Sequence, residues 1–356
     1  MMNRIERLRE RMEQKGLDAV LVTSLTSIRY FSSFTSDDAT LVITMKKACL
    51  LTDFRYTIQA KEQSGDCFNI VEVGRGQYIG TITDILESEG CMCVGFEDDT
   101  VSFANYERFK AMEKELVPFS SEMNRLRIVK TAAEIESMQA AQAIADKAYI
   151  ELLNTIHSGM TEKRVAAELL YICGKLGSEG PSFDPIVGSG PNGAMCHAVP
   201  SDRQLQQGDM VVLDFGCIKN GYCSDMTRTF AVGEVDDFTK KIYNIVLEAQ
   251  LRALDALKAG IMGAELDAIA RDYISQNGYG NCFGHSLGHG FGLQIHESPY
   301  ASVSSMDRLD DGMTITVEPG IYIEGKLGVR IEDCCVVTED GKLNLVTSSK
   351  ELLTIN

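Results

Sequence analysis

The sequence predicts an α/β domain at its amino-terminal end and a second, larger domain of long helices and strand hairpins. Three observations support this division. Up to about residue 125, short apolar strands alternate with helical stretches, the pattern of a layered α/β unit. Thr131-Ala-Ala-Glu134 is a capping box that opens a helix running to about residue 156. In residues 210–230, MVVLDFGCIKNGYCSDMTRTF, two β-prone runs flank Asn220-Gly221, the strongest short hairpin signal a sequence offers. The linker is expected over 125–130, giving domains of residues 1–128 and 129–356.

In the first domain, residues 1–16 read as a helix with Ile5, Leu8 and Met12 on one face. A short buried strand follows over 18–24, then a mixed aromatic stretch over 28–34. Residues 40–53 read as two strands joined at Lys46-Lys47. A helix over 56–63, a strand over 68–73, a helix over 79–88, a strand over 92–96 and a helix over 103–114 complete the alternation. This domain holds no histidine and no chemically suggestive cluster, so a scaffold or interface role is expected. In the second domain, Thr161 caps a helix running to about residue 175. Residues 177–193, rich in Gly, Ser and Pro, read as an irregular loop. The hairpin comes next, then helices over 238–257 and 264–276, then glycine-rich segments and strands.

The chain has 356 residues, enough for two domains with cores of their own. Its 34 basic and 51 acidic residues leave a net charge of −17, which disfavours nucleic acid and anionic membrane as partners. No apolar run approaches the roughly 18 residues that a membrane span needs. The charged start MMNRIERLRERMEQKG reads as a helix rather than a secretory signal. The 11 cysteines are scattered without zinc-finger spacing, so most are expected to be small buried hydrophobes in a reducing, cytoplasmic setting.

If Asn220 and Gly221 form the turn, Lys219 faces Tyr222. Counting outward puts Asp214 opposite Thr227 and Asp225 opposite Gly216, so Asp214 and Asp225 share a face as diagonal neighbours. Two buried carboxylates repel unless something positive lies between them. A metal centre satisfies the pattern, with Gly216 leaving room for the ions. So does an exposed sheet face with two solvated aspartates.

Further on, FGHSLGHGFGLQIHE places His285, His289 and His296 among four glycines, where backbone and ligand can approach closely. Each histidine alone also fits a satisfied structural role. Glu318 ends a strand before Pro319-Gly320, a place where a glutamate is commonly just exposed. Glu332 sits among apolar residues and could simply pair with Arg330. Taken together, Asp214, Asp225, His289, Glu318 and Glu332 offer four carboxylates and one imidazole. That set suits a pair of divalent cations of the Mn, Fe, Co or Zn kind, which can activate a water and clamp a reacting oxygen.

The order of five motifs resembles the pita-bread metallopeptidases, which include methionine aminopeptidase, aminopeptidase P and prolidase. The motifs are VLDFG with Asp214, SDMTRT with Asp225, GHGFG with His289, TVEPG with Glu318 and VRIED with Glu332. In the first domain, GLDAVLVTSLTSIRYFSSF and LTDFRY resemble the amino-terminal domain of the creatinase, prolidase and aminopeptidase P branch, which methionine aminopeptidases normally lack. The likeness spans nearly the whole chain. It implies a creatinase-type α/β domain followed by an α+β pita-bread catalytic domain.

The resemblance further implies two divalent metal ions, manganese first, with cobalt, zinc or iron as alternatives. Asp225 and Glu332 would be shared between them, Asp214 would complete one, and His289 and Glu318 the other. Glu318 would also act as general base. His197, His285 and His296 match histidines that line the substrate pocket, with His197 and His285 at the proline wall and His296 polarising the scissile carbonyl. Arg330 matches an arginine on the substrate side and, sharing a strand face with Glu332, could orient it. The implied activity is hydrolysis of the bond between a first residue and a following proline, in Xaa-Pro dipeptides or longer Xaa-Pro-Yaa peptides. A homodimer is implied too, since relatives commonly pair.

The chain departs from the family at two positions. Cys196 precedes His197, where relatives commonly carry proline, and Tyr300 stands where some dipeptidases carry a carboxylate-binding arginine. Two alternatives share the architecture. A creatinase-like amidinohydrolase would not need five intact metal ligands, and an inactive binding module would typically have lost some.

Overall fold

The computed structural model describes residues 4–36 and 38–356 and divides into two compact units, Met1–Arg127 and Ile128–Asn356. The first is built on a six-stranded mixed sheet. Its strand order is Asn69–Glu72, Ala48–Thr52, Ala39–Thr44, Ala19–Val22, Cys93–Phe96 and Glu115–Pro118. Ala39–Thr44 runs antiparallel to both neighbours, and the other pairs are parallel. Ala19–Val22 and Ala48–Thr52 are buried at every position, as expected of strands covered on both faces. The first helix, Arg4–Lys15, buries Ile5, Leu8 and Met12 on one face, and residues 1–3 of the expected helix lie outside the described residues.

Up to residue 128, three segments differ from the expectation. The aromatic stretch is a helix, Leu25–Ser32, despite its β-prone composition. A distant residue starts it. The Glu97 carboxylate accepts from Thr23 N at 2.6 Å, Ser24 N at 2.7 Å and Ser24 Oγ at 2.6 Å, while the Ser24 hydroxyl caps Ser27 N. The helix at Phe103 ends at Lys110, and Glu115–Pro118 then forms an edge strand, where a proline is tolerated. The expected linker is helical over Ser120–Ile128.

In the second unit, a layer of strands lies between two helix layers. Ala132–Leu153 and Glu162–Lys175 pack with Leu213, Phe215, Met226 and Phe230 in one core. Asp237–Ala256 and Gly263–Gln276 pack with Ala231, Ile315, Ile321 and Val329 in another. Successive strand residues face opposite cores. Cys334 and Val336 join the first, whereas Cys335 and Val337 join the second. The loop expected over 177–193 contains a strand, Ile186–Ser189, which pairs with Met210–Phe215, and a 3-10 turn, Gly190–Ala194.

Two long hairpins run through this strand layer, and each is interrupted without losing register. In the first, Asn220 and Gly221 take φ of 51° and 79°, the left-handed pair that a two-residue turn requires. Lys219 faces Tyr222 next to the turn, and Phe215 faces Met226 beyond the gap. In the second, Ile323 faces Leu327 near the turn and Gly320 faces Arg330, and beyond the gap Val317 faces Asp333. Glu318 and Glu332 thus stand opposite each other within the second gap, and Asp225 and Gly216 within the first.

The capping box at Thr131 is present, and its Glu134 also accepts from the Tyr222 hydroxyl at 2.8 Å. One carboxylate therefore starts the long helix and fastens the first hairpin to it. Thr131→Ala removes the hydroxyl half of this box and should lower unfolding free energy by ~1 kcal/mol. The measurement is a urea titration, in which the midpoint falls while the slope stays unchanged.

Candidate metal centre

The interruptions decide where the chemistry sits. Within a regular ladder, side chains alternate strictly between faces. At the gaps the regular ladder lapses, with a single cross-strand backbone bond left in each, and a side chain can be re-aimed. Asp225, Glu318 and Glu332 all occupy gaps, and His289 sits beside a register shift between His289 and Gly290. Asp214 alone lies inside a regular strand. Gly216 fits its position for a reason other than the expected room for ions. A Cβ there would meet the Ser224 carbonyl oxygen at 1.9 Å, so glycine permits two backbones to close up.

These side chains line one cavity of about 390 Å³. It brings together Asp214, Asp225, His289, Glu318, Glu332, His197, His285, His296 and Arg330. Ligand atoms of Asp225, His289 and Glu332 lie within 4.8 Å of one another. His289 Nε2 is 3.4 Å from Glu318 Oε1 and 3.7 Å from Asp225 Oδ2. Its Nδ1 lies 3.0 Å from the Gly290 carbonyl oxygen, an acceptor, so Nδ1 carries the hydrogen and the Nε2 lone pair points at the carboxylates. Burial lowers the His289 pKa to about 4, which keeps the ring neutral at physiological pH.

The carboxylates are held against their chemistry. Burial first, then the charges of Glu332, Asp214 and Glu318, push Asp225 well above the usual carboxylate range. Burial and the charges of Glu318 and Asp214 do the same to Glu332. Burial raises Glu318 to about 8, with Arg330 opposing. Asp214 Oδ1 and Asp225 Oδ1 are buried with no hydrogen-bond partner among the described residues. Carboxylates and a neutral imidazole lone pair converge on one place with two acceptor oxygens unused. A divalent cation fits this set, since it neutralises the charge and takes the orphaned lone pairs.

Arg330 occupies a different place from the one its strand face suggested. It is 2% exposed and donates from Nη2 to Asp214 Oδ2 at 2.6 Å, from Nη1 to the Tyr322 hydroxyl at 2.7 Å and to the Cys196 carbonyl at 3.0 Å. It therefore orients Asp214 directly. It reaches Glu332 only through Thr227, whose hydroxyl accepts from Arg330 Nε at 3.0 Å and donates to Glu332 Oε2 at 2.7 Å. The Thr316 hydroxyl ties two more members together, donating to Glu318 Oε1 at 3.2 Å and accepting from His289 N at 3.0 Å.

The three pocket histidines differ. His197 and His296 are exposed to the cavity, and the His296 ring stands edge-on to His289 at 4.4 Å. His285 is more enclosed, and burial lowers it to about 4. Its Nδ1 contacts the Ser286 carbonyl and its Nε2 the Tyr322 hydroxyl, both at 2.8 Å, so neither nitrogen is left for a ligand. The loop that carries Cys196 and His197 is anchored by Glu162, fully buried, which accepts from Ser189 N and Oγ, Asn192 Nδ2, and Ser201 N and Oγ. Tyr300 is 42% exposed and its side chain does not line the cavity.

Sequence reasoning missed Tyr322, Thr316 and Glu162. Thr316 was within reach, since it lies two residues before Glu318 on the strand that leads into the gap. Glu162 directly follows a helix cap and reads as an ordinary first-turn acid. Nothing local marks Tyr322, whose partners come from the 285 and 330 segments.

Comparison with known proteins covers the whole chain. Residues 136–339 match metallopeptidase family M24, and residues 4–129 match the creatinase/prolidase N-terminal domain. A solved Xaa-Pro dipeptidase from Bacillus anthracis is 44% identical, with a TM-score of 0.96 over 99% of both chains. A solved X-Pro aminopeptidase from Thermotoga maritima is 38% identical, with a TM-score of 0.92 over 97% of this chain and 100% of that one. The Xaa-Pro dipeptidase of Pyrococcus furiosus is 38% identical over 99% of this chain and 100% of its own.

Stability should depend on pH in a definite direction. In protein freed of cations, Glu318 keeps its proton to about 8, whereas its ordinary value is 4.5. Between those values the folded state holds a proton that the unfolded state has released, so unfolding free energy falls as pH rises. Asp225 and Glu332 act in the same sense. Chelated protein should lose melting temperature from about pH 4.5 to 8. The stabilisation given by added divalent cation should grow over the same window. Scanning fluorimetry with and without chelator reads both, and a cation effect that shrinks toward pH 8 would contradict the cause assigned.

Proposed function

This chain belongs to metallopeptidase family M24, and we propose that it hydrolyses the bond between the first residue of a peptide and a proline in second position. The observation that carries this reading is the convergence of Asp214, Asp225, His289, Glu318 and Glu332 on one cavity, in a chain similar end to end to enzymes named for Xaa-Pro hydrolysis. Asp225 and Glu332 would be shared by two divalent cations, Asp214 would hold one of them, and His289 and Glu318 the other. Bound there, the cations supply Lewis acidity and make a water acidic enough to attack near neutral pH.

The protein's own groups do the rest. Glu318 takes the proton of the attacking water and delivers it to the leaving proline nitrogen. His296, exposed to the cavity, donates a hydrogen bond to the scissile carbonyl oxygen as negative charge develops on it. His197, together with Phe183 and Ile186 of the cavity wall, forms an apolar and imidazole surface against the proline ring. Arg330 and Thr227 hold Asp214 and Glu332 in place throughout. The oxygen-rich donor set favours a hard cation, which supports manganese over zinc. A cytoplasmic setting is supported by Cys49, Cys91, Cys173 and Cys334, buried as free thiols. The homodimer rests on the family resemblance and is read by light scattering.

Substrate length follows from the cavity's charge. Arg330 is the one Lys or Arg among the described residues that line it, and its donors are committed to Asp214, Thr227, Tyr322 and Cys196. A dipeptide brings its free carboxylate into the cavity with no uncommitted Lys or Arg among the described lining residues to receive it. We therefore expect Xaa-Pro-Yaa peptides to be cleaved with a kcat/KM about tenfold above that of Xaa-Pro dipeptides, the worth of one charge-assisted hydrogen bond. Equal or reversed rates on a matched pair such as Ala-Pro and Ala-Pro-Ala would overturn the preference.

The activity itself is tested with a chelator and with Glu318→Gln. Hydrolysis should vanish on full metal removal and return with added manganese. Glu318→Gln should lower kcat by about a hundredfold or more with KM little changed, because it removes the base. Activity that survives metal removal would sink the reading. Turnover of creatine with no peptide hydrolysis would favour the amidinohydrolase instead.

A further inference from the structure

Beneath the cavity lies a polar cluster that the chemistry above does not use. Its centre is Arg228, a neighbour of Thr227 on the Met226–Val232 strand and 1% exposed. A buried guanidinium must satisfy five N–H groups, and this one does. Nη1 donates to the Glu332 carbonyl at 2.6 Å and to the Thr227 carbonyl at 2.9 Å. Nη2 donates to Asp333 Oδ1 and to the Ser348 carbonyl, both at 2.8 Å. Nε donates to the Ser349 carbonyl at 3.0 Å.

The location explains the need. Glu332 lies in the gap between Leu327–Arg330 and Asp333–Thr338, where no ladder partner fixes its backbone. Its N–H donates to the Thr227 carbonyl at 3.1 Å, and the same carbonyl accepts from Arg228, which also holds the Glu332 carbonyl. Both backbone polar groups of Glu332 are thus tied to one strand, the N–H directly at the Thr227 carbonyl and the carbonyl through the Arg228 guanidinium. The far side of the guanidinium is held by residues 348–349. That segment is pinned in turn by Asp146, which accepts from Thr347 N at 3.0 Å and Oγ1 at 2.8 Å, and from Ser348 N at 2.9 Å and Oγ at 2.6 Å. Lys350 adds a contact to Asp333 Oδ2 at 2.7 Å.

We propose that Arg228 is a positioning residue for the metal centre: it clamps the backbone of Glu332 to the 348–349 segment, so that the carboxy-terminal stretch and Asp146 set the aim of the Glu332 carboxylate. This rests on the metallopeptidase reading. A guanidinium has the planar fork that can hold four carbonyls and a carboxylate at once, and an ammonium does not.

The test uses the full-length protein, stripped and reloaded with cobalt(II), in wild-type, Arg228→Lys and Asp146→Asn forms. Affinity is read by calorimetry and ligand geometry by the visible absorption of the bound cobalt. Arg228→Lys should keep its far-ultraviolet circular dichroism, shift the cobalt bands and lose about tenfold to a hundredfold in affinity. Peptide KM should hardly move while kcat falls. Asp146→Asn acts from the periphery and leaves Arg228 in place, so it serves even if Arg228→Lys does not fold. It should shift the cobalt bands in the same direction with a smaller loss, about threefold in affinity. A folded Asp146→Asn or Arg228→Lys with wild-type affinity and spectrum would overturn the proposal. Failure of the wild-type protein to bind cobalt would instead sink the metallopeptidase reading on which it rests.

Discussion

Four carboxylates gathered in one cavity form the constraint that the second unit is built around. Two unit charges 4 Å apart repel by about 4 kcal/mol at an effective dielectric of 20. A single hydrogen bond returns only about 1 kcal/mol. Hydrogen bonds alone therefore cannot hold Asp214, Asp225, Glu318 and Glu332 together as anions. Something positive must share the space, whether protons at low pH or cations above it. Arg330 meets part of the demand through Asp214, and the raised pKa values of the other three record the part left over.

The architecture converts this electrostatic problem into a geometric one. Helices on both sides bury the strand layer, which takes the carboxylates away from solvent and makes their charges strong. The two hairpins then open at matching places, and the openings receive three of the four carboxylates. Where pairing lapses, buried side chains take over the backbone. Thr227 and Arg228 hold Glu332, Thr316 holds His289, and Glu162 holds the loop of His197. The polar core beneath the site is thus a substitute for missing ladder bonds, and each of these groups carries several partners at once.

Much of this is legible in the sequence because the relevant signals are local. Asn220-Gly221 specifies its turn through two positive φ angles, and counting outward from that dipeptide is enough to pair Asp214 with Thr227, the register that the folded hairpin has. The capping box at Thr131 needs only four residues to announce itself. The same counting cannot reveal that regular pairing stops at Gly216, next to which the Ser224 hydroxyl rather than its carbonyl takes the Cys217 N–H. Likewise, the Leu25–Ser32 helix is started by Glu97, and Arg228 is satisfied by residues some 120 positions away. Those partners meet only in the folded chain, so the same residues taken singly look ordinary. Arg330 is the instructive case. Strand alternation places it on the same face as Glu332, but Thr227 stands between the two and leaves Asp214 as its direct partner.

The unbroken register across each opening has a consequence for how such a chain can vary. The hairpin ends, at Asn220-Gly221 and around Gly325, lie outside the openings and carry none of the five gathered groups. Residues added at either tip leave the pairing of the two arms intact. One residue added or lost within an arm, between Phe215 and Ile218 or between Arg330 and Asp333, turns every side chain beyond it to the opposite helix layer. Lineages of this fold can therefore grow ornament at the tips, while the stretches nearer the cavity accept substitutions but not changes of length.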